Sequence, residues 1–93
     1  MTFQAPDLKK FECLVLAYRA LREGGTAPAI LNAANEVAVG LFLERKIGFH
    51  EIPILIRKAM DEVSVRQSPS LDDIIEADAQ ARATVKKFSE VLI

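Results

Sequence analysis

Between Glu23 and Glu44 the only formally charged residue is Glu36, and the hydrophobic positions in this interval recur at helical spacing. At 3.6 residues per turn, Ile30, Leu31, Ala34, Val37, Ala38, Leu41 and Phe42 fall on one broad face, flanked by Ala29, Ala33 and Gly40. A helix this apolar is covered on several sides, so Thr26 to Leu43 is expected to be a central helix with neighbours around it. Its remaining side carries Asn32, Asn35 and Glu36, then Val39 and Leu43. Thr26 is the expected cap, and Pro28 stands in the first turn, where its missing N–H costs nothing. The helix is expected to end around Arg45-Lys46, basic residues suited to its negative end, with Gly48 marking the stop.

Three further helices are expected. Asp7 caps the first near Leu8, and Phe11, Leu14, Tyr18 and Leu21, with Ala17 between them, give it an apolar face at spacings of three and four. Gly24 and Gly25 end it near Glu23 with a left-handed residue. A third helix follows Ile47, Gly48 and Phe49, with Glu51 and Pro53 in its first turn and a core face of Ile52, Leu55, Ile56, Ala59, Met60 and Val63. Residues 66–69 read as a loop. Ser70 and Asp73 then form a capping box for a fourth helix, whose face is Leu71, Ile74, Ile75, Arg82, Val85, Phe88 and Leu92. Asp78 interrupts that face, so this helix is either continuous or divided there. The expected fold is all-α, a small up-down bundle of about four helices spanning residues 10–93 as one domain, preceded by an extended arm or linker end at 1–9 that contains Pro6.

Composition narrows the function classes. The 93 residues allow one small domain, with little volume for both a core and an enclosed active site. Thirteen acids against twelve bases, spread along the chain, leave no basic stripe for nucleic acid. Lys9-Lys10 and Lys86-Lys87 read as solvated helix faces. The apolar run is short for a bilayer, and its two asparagines, glutamate and proline are costly in hydrocarbon, so no membrane span is expected. Cys13 is the only cysteine and reads as a small buried hydrophobe. With no signal-peptide pattern at the N-terminus, the expected location is cytoplasmic.

Candidate chemistry is sparse. His50 reads as a helix-start or surface residue. Asp72, Asp73, Glu76 and Asp78 form the densest acidic group, with Asp72 and Glu76 on one helix face. Hard cations favour such carboxylates, but acids at a helix start are equally explained by its positive end. Gly24-Gly25-Thr26 precedes a helix, yet it lacks the strand and the lysine of a phosphate-binding loop. No residue is therefore assigned to catalysis, cofactor binding or metal binding, and the chain alone is not expected to be an enzyme.

The stretch from Gly24 to Val39, GGTAPAILNAANEVAV, closely resembles a signature of the C-terminal domain of 1-deoxy-D-xylulose 5-phosphate reductoisomerase. Phe3 to Asp7 with Phe11, Cys13 and Leu14 resembles the family's entry into that domain. Phe42, Leu43, Ile47, Phe49 and Ile52 resemble the next helix and turn, and Leu71 to Asp73, Asp78, Ala81 and Arg82 the last helix. The chain departs from the family at Glu12, where a proline is expected, and at His50.

The resemblance implies a helical domain of a larger, usually homodimeric enzyme. That enzyme uses NADPH and Mg2+ or Mn2+ to rearrange and reduce 1-deoxy-D-xylulose 5-phosphate to 2-C-methyl-D-erythritol 4-phosphate, in non-mevalonate isoprenoid biosynthesis. Its nucleotide, metal and substrate motifs lie in the N-terminal and catalytic domains, so this chain is expected to bind no cofactor. Its expected role is structural, supporting the catalytic domain, and Met1 stands where an excised domain would begin. Asn32, Asn35 and Glu36 are the candidates for the packing contacts, either to those missing domains or to backbone inside the bundle. The alternative is a stand-alone helical protein-interaction module.

Overall fold

The computed structural model describes residues 8–92, with side chains over 11–91. Four helices account for the architecture, α1 (Leu8–Glu23), α2 (Ala27–Leu43), α3 (Ile52–Glu62) and α4 (Leu71–Leu92), with a 3-10 turn at Phe49–Glu51. There is no strand among the described residues, and the bundle is a small all-α one, as the periodicity predicts. The expected arm lies outside the described residues except at positions 8 and 9, which open α1, and so do the cap assigned to Asp7 and the side chains of Lys9, Lys10 and Leu92.

α2 packs against α4, α3 and α1, which makes it the central helix. Ile30, Ala33, Ala34 and Ala38 are buried on it, and Leu31, Val37, Leu41 and Phe42 are packed against the core less completely. α3 buries its whole predicted face, Ile52, Leu55, Ile56, Ala59 and Met60, with Val63 just past its end. α4 is continuous through Asp78, which serves the helix by accepting from Arg82 Nε at 2.6 Å, one turn on. Its capping box forms as expected. Ser70 N–H donates to Asp73 Oδ2 at 3.0 Å and Asp73 N–H to Ser70 Oγ at 3.1 Å.

Two faces differ from expectation. On α4 the buried stripe is Ala77, Ala81, Val85 and Ser89, with Phe88 beside it, while Leu71 and Ile75 are exposed. Ile74, one turn before Ala77 on the buried side, is still 38% exposed. On α1 the difference is larger. Leu16 and Ala20 face the core, with Cys13 against it, whereas Phe11, Leu14, Tyr18 and Leu21 point outward. Polar pairs hold this rotation on the α3 side. Arg19 bridges Glu23 on its own helix (2.6 Å) and Asp61 (2.9 Å), and Arg57 meets Glu12 at 3.5 Å.

The helix ends also depart from simple expectation. Gly24 and Gly25, at φ 66° and 54°, do terminate α1. Thr26 stands at the cap position of α2 without a side-chain capping bond, because its hydroxyl is committed to Arg66 in the loop before α4. α2 stops at Leu43 rather than at Arg45-Lys46. Arg45 itself takes the left-handed conformation (φ 63°), its N–H donating to Phe42 O and that of Lys46 to Leu41 O, both at 2.9 Å. Gly48 is therefore not the stop; its N–H donates to Glu51 Oε1 at 2.6 Å and fixes the turn into α3.

Candidate domain-docking face

α1 lies at the edge of the bundle, packed on α2 and α3. On its outward side Phe11, Leu14, Val15, Tyr18 and Leu21 form a row of large apolar side chains, each at least half exposed, with Tyr18 at 61% and Leu21 at 72%. Scattered exposed leucines are ordinary, but five large residues in helical register on one helix are a patch of the kind that marks an interaction surface. A second stripe on the same helix is small, Cys13, Ala17 and Ala20. Together with Leu16 this stripe faces the bundle, and the other large residues of α1 are left facing away.

Between α1 and α2 runs a groove of about 400 Å³, lined by Cys13 and Ala17 on one wall and Pro28, Leu31, Asn32 and Asn35 on the other. The α1 row begins at the lip of this groove, since Leu14 and Leu21 follow Ala17 around the helix. Asn32 and Asn35, one turn apart, stand exposed on its rim. Among the described residues neither asparagine side chain has a hydrogen-bond partner within the bundle.

Glu36, the third residue expected here, is directed elsewhere. Its Oε1 accepts from Arg82 Nη1 of α4 at 3.3 Å. The hydrogen bond to Asp78, then that to Glu36, holds the Arg82 guanidinium well above its ordinary value. The outward direction of the α1 row is not readable from the sequence, because a stripe at helical spacing shows that a face is apolar without showing what covers it. The signal that could have found it is the doubled pattern of α1, where the small stripe claims the close neighbour.

Other surfaces offer less. The groove between the C-terminal halves of α2 and α4, about 610 Å³, mixes Lys46 and Lys86 with Glu44 and Glu90 and favours no one charge. Asp73, Glu76 and Asp78 of the acidic group at the start of α4 are engaged internally. Asp73 caps Ser70 and meets Arg66 at 3.1 Å, and Glu76 meets the same guanidinium at 3.6 Å. The Ser70 backbone N–H, more than any other partner, keeps the Asp73 carboxyl below the usual aspartate range. No group of three metal-ligating side chains comes together among the described residues. The helix-start site at Gly24-Gly25-Thr26 is filled by protein, because Thr26 N–H donates to Arg66 O at 3.0 Å. No helix among the described residues is long and apolar enough to cross a membrane.

Comparison with known proteins places this arrangement. Residues 1–84 match the family model of the DXP reductoisomerase C-terminal domain. The chain belongs to that family. The 1-deoxy-D-xylulose 5-phosphate reductoisomerase of Acetivibrio thermocellus is 58% identical over 88 residues, 95% of this chain and 23% of that protein. The Ralstonia pickettii enzyme of the same name is 52% identical over 88 residues, again 95% of this chain and 22% of the relative. The structure of 1-deoxy-D-xylulose 5-phosphate reductoisomerase from Zymomonas mobilis in complex with NADPH superposes with a TM-score of 0.81 at 40% identity, covering 97% of this chain and 24% of that one. The reductoisomerase resemblance of the signature at 24–39 thus extends to the sequence and fold of nearly the whole chain. The chain spans just under a quarter of the length of the curated relatives it matches.

Proposed function

We propose that this chain acts as the structural C-terminal domain of a 1-deoxy-D-xylulose 5-phosphate reductoisomerase, docking onto the N-terminal and catalytic domains and holding the catalytic domain in place. The observation that carries this reading is the outward apolar row of α1 beside the α1–α2 groove. A bundle with its own core has no internal use for that row, and a neighbouring domain of the same polypeptide does. The whole enzyme, in this reading a cytoplasmic homodimer, converts 1-deoxy-D-xylulose 5-phosphate to 2-C-methyl-D-erythritol 4-phosphate with NADPH and Mg2+ or Mn2+.

The described residues of this chain do not fit either cofactor. No cluster of acids or histidines is shaped for a cation, and the glycine turn before α2 is closed by Arg66. Asn32, Asn35 and Glu36 remain the proposed polar packing residues, Asn32 and Asn35 toward the partner domain and Glu36 by fixing α4 to α2 through Arg82. The chain contributes position rather than reacting groups.

The test is a chimera in which this chain replaces the C-terminal domain of the Acetivibrio thermocellus enzyme. The chimera is expected to turn over 1-deoxy-D-xylulose 5-phosphate with NADPH and Mg2+. Leu14→Gln combined with Tyr18→Gln lowers its melting temperature and turnover while leaving the isolated 93-residue chain folded. A folded chimera without turnover, or a double variant indistinguishable from its parent, overturns the reading and returns the chain to the class of stand-alone interaction modules.

A further inference from the structure

We infer that the α1–α2 groove seats a stretch of non-helical backbone, a loop or an exposed strand edge, from the part of the polypeptide that precedes this domain. The inference rests on the docking reading above and names what the groove holds. Its rim carries two asparagine amides, each able to donate twice and accept at its oxygen, and neither is used among the described residues. Side chains one helical turn apart stand about 5–6 Å from one another. Peptide groups on one edge of an extended chain repeat at about 6.6–6.8 Å. Splayed by about 1 Å at their tips, two amides rooted at this spacing reach successive groups of an unpaired backbone edge, and they have nothing to pair with along the interior of a helix, whose N–H and C=O groups are already bonded.

The groove beneath them is apolar, with Ala17, Leu31 and Pro28 in its walls. Water is excluded there once a segment lies across it, which makes hydrogen bonds from the rim worth more than on open surface. The matched relatives are about four times as long as this chain, and the matching family is a C-terminal domain, so the remaining polypeptide comes before it. That polypeptide enters through α1, which is one wall of the groove. A second copy of this chain fits poorly, because its described surface is almost wholly helical.

The experiment is hydrogen exchange, read by mass spectrometry, on the chimera described above, with and without the pair Asn32→Asp and Asn35→Asp. Aspartate keeps the size and the acceptors and removes the donors. The isolated chain carrying both changes is expected to melt where the parent does. In the chimera, one loop or strand peptide outside this domain is expected to exchange roughly tenfold faster, the effect of losing about two neutral hydrogen bonds. The inference is overturned if no outside peptide changes, if the peptide that changes lies inside a helix, or if the groove of the isolated chain gains protection with concentration, which gives it to a second copy. Protection of the α1 row separates the two readings. If that row is protected in the chimera and the asparagine changes do nothing, only the groove inference falls. If the row exchanges as in the isolated chain, the docking reading itself falls.

Discussion

Thr26 and Arg66 exchange two hydrogen bonds across forty residues of sequence. Thr26 N–H donates to Arg66 O at 3.0 Å, and Arg66 N–H donates to Thr26 Oγ1 at 2.9 Å. Thr26 is fully buried at this junction, and Gln67 adds a third tie by donating to Glu23 O at 2.8 Å. The link joins the α1–α2 turn to the loop that launches α4, so the angle of the edge helix is set where the three elements meet. That angle decides which side of α1 is left facing outward.

Thr26→Val keeps the shape and removes the acceptor, leaving the Arg66 N–H without a partner. The expected cost is about 1–3 kcal/mol, read by thermal or denaturant unfolding of the 93-residue chain. Thr26→Ser retains the oxygen and is expected to lose less. Equal losses for serine and valine would show that the methyl group, not the bond, matters.

Gly25 lies at φ 54°, and a Cβ built there would collide with Arg66 O. Gly24 lies at φ 66° with only the flexible Gln67 side chain at 3.7 Å. Both alanine variants bear the left-handed strain of about 1–2 kcal/mol. Gly25→Ala must also push the Arg66 backbone away. It is therefore expected to melt distinctly lower than Gly24→Ala, and equal melting temperatures would contradict the close approach.

Arg45 ends α2 in a conformation that glycine adopts without strain. Arg45→Gly is expected to raise stability by about 0.5–1 kcal/mol, the relief of strain less the extra freedom of the unfolded chain. A lower unfolding midpoint for this variant would show that the arginine side chain contributes more than its backbone costs.

Helix periods and the family signature were readable because they are local. The capping box of Ser70 and Asp73, the glycine stop of α1 and the core face of α3 each follow from residues within a few positions of one another, and each is found. What the sequence did not disclose depends on partners far along the chain. Thr26 reads as a helix cap until Arg66, forty residues on, takes its hydroxyl. Phe11, Leu14, Tyr18 and Leu21 read as an inward face because spacing cannot tell a buried stripe from an exposed one. Asn32 and Asn35 were legible as polar residues on an apolar helix, but their place on a groove rim required α1 in position.

The Asp73 carboxyl is held below its ordinary value of 3.8, first by the Ser70 N–H and then by the Ser70 hydroxyl and Arg66. A depressed folded value means that the unfolded chain binds this proton more readily. The contribution is present above the unfolded value and is lost as pH falls through the folded one. The stability difference between the parent and Asp73→Asn is therefore expected to be constant near neutrality and to shrink below about pH 4. A difference that persists unchanged into strong acid would assign the effect to packing instead of charge.

The rotation of α1 can be tested without any partner domain. Leu16 is 3% exposed and Leu14 is 51% exposed, two positions apart on the same helix. Leu16→Ala opens a cavity in the core and is expected to cost about 2–5 kcal/mol, a large share of the roughly 5–15 kcal/mol that stabilises a folded protein. Leu14→Ala removes a side chain that already meets solvent, and its expected change is within about 0.5 kcal/mol. Unfolding midpoints of the two variants in the 93-residue chain settle the orientation. If Leu14→Ala proves the more damaging, the large stripe is the buried one, and the outward docking face does not exist. If Leu16→Ala does, α1 turns Leu16 and its small residues inward, and the row of Phe11, Leu14, Val15, Tyr18 and Leu21 is the face left outside the bundle.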